Sequence, residues 1–301
     1  MAQMLGEAVA AQYAVAEIGI GSLNVILNGR LIPRLLKDVQ AVTGQFKLRY
    51  TVHAPNRTNL AYGYDLPMDE AVMRACLEFC GAIGAPVLVY HSGLQAISYV
   101  AHGQYPMLDH DQLKRGADLE VEALRRLAPY AAALGVTIGM ENGDTHLWEA
   151  ALLRSHAIPA DQLATYHARL KVGPIIAQIQ AVDHPAVRMT LDLAHLHIAA
   201  HAVGFDYLDA VAEAAPYVAH LHLNDNFGKL DAGFDDEGDQ APYGEADLHL
   251  PPGWGSIPFA EAFARLDSFS GDIIIELKHR YRAHIAEARQ TITDWTTPGH
   301  S

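Results

Sequence analysis

Nine residues of metal-binding type stand out, most of them at the ends of short apolar runs or just past them: His53, His91, Glu141, Asp192, His195, His222, Asp247, His249 and Glu276. Imidazole and carboxylate together suit zinc, with Mn²⁺ or Fe²⁺ as alternatives. Four carboxylates and five histidines exceed the needs of one ion. Two or three ions sharing carboxylates are therefore expected, with Glu141 and Glu276 placed to bridge. Asp192 and His195 lie three apart in DLAH, where a strand turns into a helix, and can face one pocket. Asp247 and His249 flank one residue in DLH, and alternate residues of an extended segment face the same way. The chain has 17 histidines, so a single one, such as His220 in VAHLHL, reads by itself as structural. The joint recurrence with carboxylates is what points to metal.

The elements that must position these groups alternate regularly. Strand-like runs are AVAEIGI (14–20), KLRYTVH, PVLVYH, VTIGME, VRMTLD, VAHLHL and IIIEL; helical patterns at RLIPRLLKDVQAVTG, DEAVMRACLEFCGAIG and 109–134 separate the first four. This alternation predicts βαβ units and a parallel sheet. In a parallel α/β barrel the strand C-termini share one mouth, where catalytic groups collect. The expected fold is a TIM-type (β/α)8 barrel in one domain spanning 1–301, with only seven strands recognisable. The opening MAQMLGEAVAAQY reads as the helix that would follow a first strand. Either the true start lies upstream, or the barrel is open at that seam. Two mouth insertions are expected, at about 142–170 and 224–252, the second rich in Gly, Pro and Asp. The tail TTPGHS reads as frayed.

Composition narrows the classes. The formal charge of −14 argues against a general nucleic-acid binder. Cys76 and Cys80 share a helix face and read as core; with no disulfide framework and no secretory signal, a reducing cytoplasm is expected. No apolar run approaches membrane-spanning length.

The motifs resemble the xylose-isomerase-like, AP-endonuclease-family TIM barrels, and within them the endonuclease IV branch. The resemblance rests on HAPNRTNL (His53), HSG (His91), Glu141-Asn142, Asp192 with His195, HLND (222–225), DLHLPPGWGSI (Asp247, His249) and Glu276. It implies that all nine positions hold a trinuclear zinc cluster. Single-metal sugar isomerases and epimerases of the superfamily use only positions equivalent to Glu141, Asp192, His222 and Glu276. The segment APNRTN lacks the bulky aromatic that the DNA-cleaving enzymes carry, and DAGFDDEGD in the second insertion would repel a phosphate backbone.

The resulting expectation is zinc-dependent hydrolysis of a phosphodiester or phosphate ester in a small anionic molecule, with Glu141 and Glu276 as catalytic carboxylates. A zinc-bound water titrates near ~7 and supplies hydroxide. Arg57, Lys278 and Arg280 are candidates to hold phosphate oxygens, with His279 beside them. Asn224 and Asp225 would orient ligands, and Trp254 would wall the pocket. The first alternative is a sugar or sugar-phosphate isomerase or epimerase using one divalent ion. The second is an abasic-site DNA endonuclease.

Overall fold

The computed structural model describes residues 1–101, 106–233 and 237–296. Seven parallel strands form one sheet in chain order. They are β1 (Val15–Gly19), β2 (Arg49–His53), β3 (Val87–His91), β4 (Thr137–Glu141), β5 (Val187–Asp192), β6 (Val218–Leu223) and β7 (Asp272–Ile275). All seven match the apolar runs. Their rows of aliphatic residues are buried by helices outside and by each other inside, as parallel sheets require. The sheet curls into a barrel that is nearly closed. β1 and β7 are its two edges, and neither pairs with a further strand among the described residues.

Local chemistry sets the helices. Leu66–Ile83 starts at Asp65, whose carboxylate accepts the Met68 N–H at 3.1 Å, and stops at Gly84 in the left-handed region (φ 72°). The helix His110–Ala133 opens on a capping box between Asp109 and Gln112. Cys76 and Cys80 are buried free thiols on the first of these helices. One sequence expectation needs correction. The helical pattern read from Arg30 starts only at Pro33, because Arg30–Leu31 pairs with Ile26–Leu27 in a small hairpin. Its turn is Asn28-Gly29, both at positive φ, a strong hairpin signal overridden by the apolar pattern after it.

The 142–170 insertion is packed onto the barrel. It carries helices Leu147–Ser155 and Leu163–Tyr166, and Leu153, Leu163 and Leu170 form a small core of their own with Ile97 and Ala199. The 224–252 insertion is tied down by bridges between Asp225 and Leu250 and between Lys229 and Glu245. Residues 234–236 of DAGFDDEGD, and the tail beyond Thr296, lie outside the described residues. Asp231, from the same acidic run, accepts the Leu147 N–H at 3.3 Å and lies 3.2 Å from His146, so it joins the two insertions.

At the open seam, the helix Ala2–Ala10 is joined to the C-terminal segment. Tyr13 donates to the Ile285 carbonyl at 2.8 Å, and Arg282 pairs with Glu7. The expected N-terminal helix is therefore present, and the sheet is open beside it.

Candidate metal centre

The fold brings all nine sequence-predicted ligands to the barrel mouth. Glu141, at the end of β4, is the hub. One oxygen lies 3.0 Å from His91 Nε2 and 3.5 Å from His53 Nε2; the other lies 2.8 Å from His222 Nδ1. Glu276 Oε1 approaches the same His222 nitrogen at 3.5 Å. His195 Nε2 and His249 Nε2 sit 3.5 and 2.6 Å from Asp247 Oδ2. His53, His91 and Glu141 present ligand atoms within 4.8 Å of one another, as do Asp192, His222 and Glu276, and Glu141, Asp192 and His195.

Asp192 shows how an element aims a ligand. It is the N-cap of the helix Leu193–Val203, and its Oδ1 accepts the Ala194 and His195 N–H groups at 2.7 and 2.8 Å. The cap fixes the carboxylate, sets His195 one turn on, and leaves Oδ2 free toward the site.

A divalent cation fits this donor set. Glu141 Oε2, Asp192 Oδ2 and Asp247 Oδ1 are buried without a hydrogen-bond donor, and so are both amide atoms of Asn224. Buried carboxylate oxygens of this kind need a positive partner. Without an ion, the histidines must provide it. Burial works against charge on His53, yet Glu141, Glu17 and Glu276 lift its pKa to about 9. His249 is likewise raised to about 9, against burial, chiefly by Asp247. Burial pushes His91 down to about 4, so it is neutral and ready to ligate. Burial, reinforced by Glu141 and Asp247, raises Asp192 to about 7 despite His195.

Two groups were missed in the sequence. Glu17 projects from β1 to the barrel axis, accepts the Thr51 hydroxyl at 2.9 Å, and lies 3.2 Å from His220 Nε2 and 3.1 Å from His222 Nε2. His222 is thus gripped from both sides, although its Nε2 is not aligned for a directed hydrogen bond. The signal was readable: a lone carboxylate inside the strand AVAEIG, on the same face as Val15 and Gly19. His220, two residues before His222, is fully buried on that face. Arg169, from the first insertion, gives its Nε to His167 Nε2 (3.1 Å) and a terminal nitrogen to Gln95 (2.9 Å). Glu149 holds His167 at 3.0 Å, so the guanidinium is fixed beside the centre. A side chain at Gly143 would meet Arg169 Nε at 2.6 Å, and only glycine leaves it room.

The expected substrate-binding residues divide. Arg57 and Lys278 line the cavity over the centre, and Lys278 donates to the Asp247 carbonyl at 2.9 Å. Asn224 is buried with its amide unpartnered. Asp225 is turned elsewhere: it accepts N–H groups from Asn226, Gly253, Gly255 and Ile257 and so clasps the DLHLPPGWGSI loop. Trp254 binds Glu287 at 2.9 Å and packs on His284, and Arg280 is exposed over Tyr281; neither lines the cavity.

The chain belongs to the xylose isomerase-like TIM barrel family, whose profile matches residues 7–296. Among solved structures it resembles a D-tagatose 3-epimerase-like protein (17% identity, 94% of this chain and 88% of that one, TM-score 0.66). It also resembles a D-psicose 3-epimerase studied with D-fructose (13% identity, 98% and 93% covered, TM-score 0.66). A third is an IolI protein holding a zinc atom (14% identity, 98% and 92% covered, TM-score 0.65). These neighbours are sugar epimerases and a zinc-bound relative, not endonuclease IV, so the finer resemblance drawn from the nine motifs is corrected. The chain is a member of this family that carries candidate metal-binding groups at its barrel mouth. No helix among the described residues is long and apolar enough to cross a membrane.

Proposed function

We propose that the protein is a metal-dependent epimerase or isomerase of a sugar or related hydroxy-carbonyl compound. The observation that carries this reading is the pair Glu141 and Glu276. Both carboxylates face His222 Nδ1, at 2.8 and 3.5 Å, so they border one point from different strands. One takes the proton from the carbon next to the carbonyl, and the other returns a proton to that carbon's opposite face or to its neighbour. A divalent ion held by Glu141, Asp192, His222 and Glu276 would supply Lewis-acid polarisation of the carbonyl oxygen. The sugar-epimerase neighbours support this choice. Arg57 and Lys278 are placed to bind hydroxyl or phosphate oxygens.

A second reading, hydrolysis of a small phosphate ester at a trinuclear zinc centre, is favoured by one observation. His195, Asp247 and His249 join the same mouth, and a single-ion isomerase does not need them. DNA cleavage is not favoured, given the net charge of −14. The deciding experiment pairs metal analysis with two substrates for wild type, Asp247→Ala and His249→Ala. The epimerase reading expects turnover of a keto sugar that largely survives both substitutions. Hydrolysis of bis(p-nitrophenyl) phosphate, three zinc ions per chain and a collapse of activity in both variants would establish the hydrolase instead.

A further inference from the structure

We propose that the open seam between β1 and β7 is a subsite for an apolar substituent, so that the substrate is a keto-glycoside, a sugar that keeps a free ring carbonyl and carries an apolar aglycone on its anomeric carbon. The proposal rests on the reading that this centre acts on a sugar. A single cavity of about 900 Å³ runs from His53, Glu141 and Glu276 to the helix Ala2–Ala10. That is near the top of the range of roughly 300–1,000 Å³ for sites that take drug-sized ligands. A free hexose beside Glu141 and Glu276 leaves most of it empty.

The chemistry of the walls changes along the cavity. Around the centre the walls are histidine and carboxylate. In the seam they include the aliphatic Leu5, Ala8, Ala16, Ile273 and Ile275, together with the paired Glu7 and Arg282. Ala16, Ile273 and Ile275 are only half-buried, whereas aliphatic residues of the interior strands, such as Leu88 and Val89, are fully buried. Their exposure follows from the seam, because no strand covers the edges of β1 and β7 among the described residues. Those edges also offer backbone N–H and C=O groups without a ladder partner. A slot of aliphatic side chains rimmed by backbone polar groups suits an apolar body that carries hydroxyls. Links from Glu7 to Arg282 and from Tyr13 to Ile285 tie the N-terminal helix to the C-terminal segment here, so the slot has fixed walls.

The test is calorimetric binding of phenyl and methyl β-D-glucopyranoside to the metal-loaded protein; the two differ only in the aglycone. The phenyl glycoside is expected to bind at least tenfold more tightly. Ala8→Phe and Ala16→Phe, from opposite walls, should abolish that preference while leaving methyl glycoside affinity and metal content unchanged. Ala16→Val, a smaller intrusion, should reduce the preference several-fold and serves if the larger side chains prevent folding. Equal affinities in wild type, a preference that ignores all three substitutions, or binding of neither glycoside would overturn the subsite. A slot that receives an extended polypeptide instead would give one of those results. Slot-dependent phenyl binding in a protein that epimerises no keto sugar would keep the subsite and sink only the proposed reaction.

Discussion

His222 carries the centre at the scale of single residues. Its Nδ1 faces Glu141 and Glu276, and its Nε2 lies 3.1 Å from Glu17. A carboxylate behind a ligating imidazole fixes the ring and its tautomer, and losing such a partner costs about 10–100-fold in metal affinity. Glu17→Gln is therefore expected to weaken zinc binding by about that factor, measured by competition with a fluorescent chelator. Unchanged affinity would show that Glu17 is a barrel-packing group only. Glu276→Gln keeps an oxygen ligand but removes the base, so kcat at saturating metal should fall about 10²–10⁴-fold. A fall in affinity alone, with kcat restored by excess metal, would count against the acid–base role. The nine residues at the mouth were legible because most sit at or just past a strand end, where parallel strands share one mouth, and Asp247 and His249 share the DLH alternation. Glu17 was not read because it lies inside its strand. Asp225 and Trp254 were misplaced because their partners, the Gly253–Ile257 backbone and Glu287, come together only through tertiary packing.

At the scale of elements, the loop after β3 rests on a buried acid. Glu120, from the helix His110–Ala133, is fully buried and accepts from the Tyr90 hydroxyl (2.8 Å) and the Gly93 N–H (2.5 Å). Burial raises its pKa to about 7, against the pull of those donors. A free chain would titrate near ~4.3, so the folded state binds this proton more tightly. The resulting stabilisation is complete below the unfolded value and is lost as pH rises through about 7. Its size is on the order of 3 kcal/mol. Glu120→Gln should flatten the melting temperature between pH 4.5 and 7 relative to wild type. An identical pH profile in the two proteins would remove Glu120 as the cause. All seven strands were legible from strand-like, largely apolar runs, and their number left an open seam as one of two readings. The hairpin at 26–31 was not read, because two-residue strands carry no periodicity.

At the scale of the whole molecule, a barrel with a gap in its wall encloses several acids at one end. Glu17, Glu141, Asp192 and Asp247 are held with little solvent. Metal-free protein keeps them together with bound protons: Asp192 holds its own up to about pH 7, His53 and His249 hold theirs up to about pH 9, and the surrounding carboxylates raise His195 and His222 well above the usual histidine range against burial. A divalent ion held by Glu141, Asp192, His222 and Glu276 must displace the protons of Asp192 and His222, because a ligating carboxylate is ionised and a ligating imidazole is neutral. Uptake of zinc at pH 7.5 should therefore release protons, measurable by titration calorimetry in buffers of different ionisation enthalpy. Affinity should climb as pH rises through about 7, where Asp192 ionises, and go on climbing above it while His222 stays charged. Because the ion binds only the folded chain, metal at a hundred times its dissociation constant adds about 2.7 kcal/mol of stability. For a domain of this size that corresponds to roughly 5 °C or more in melting temperature, which a chelator should remove and zinc should restore. Zinc binding with no proton release, or a melting temperature indifferent to chelation, would mean that Glu141, Asp192, His222 and Glu276 do not hold the ion. The acid–base pair proposed for Glu141 and Glu276 would then have to work without it.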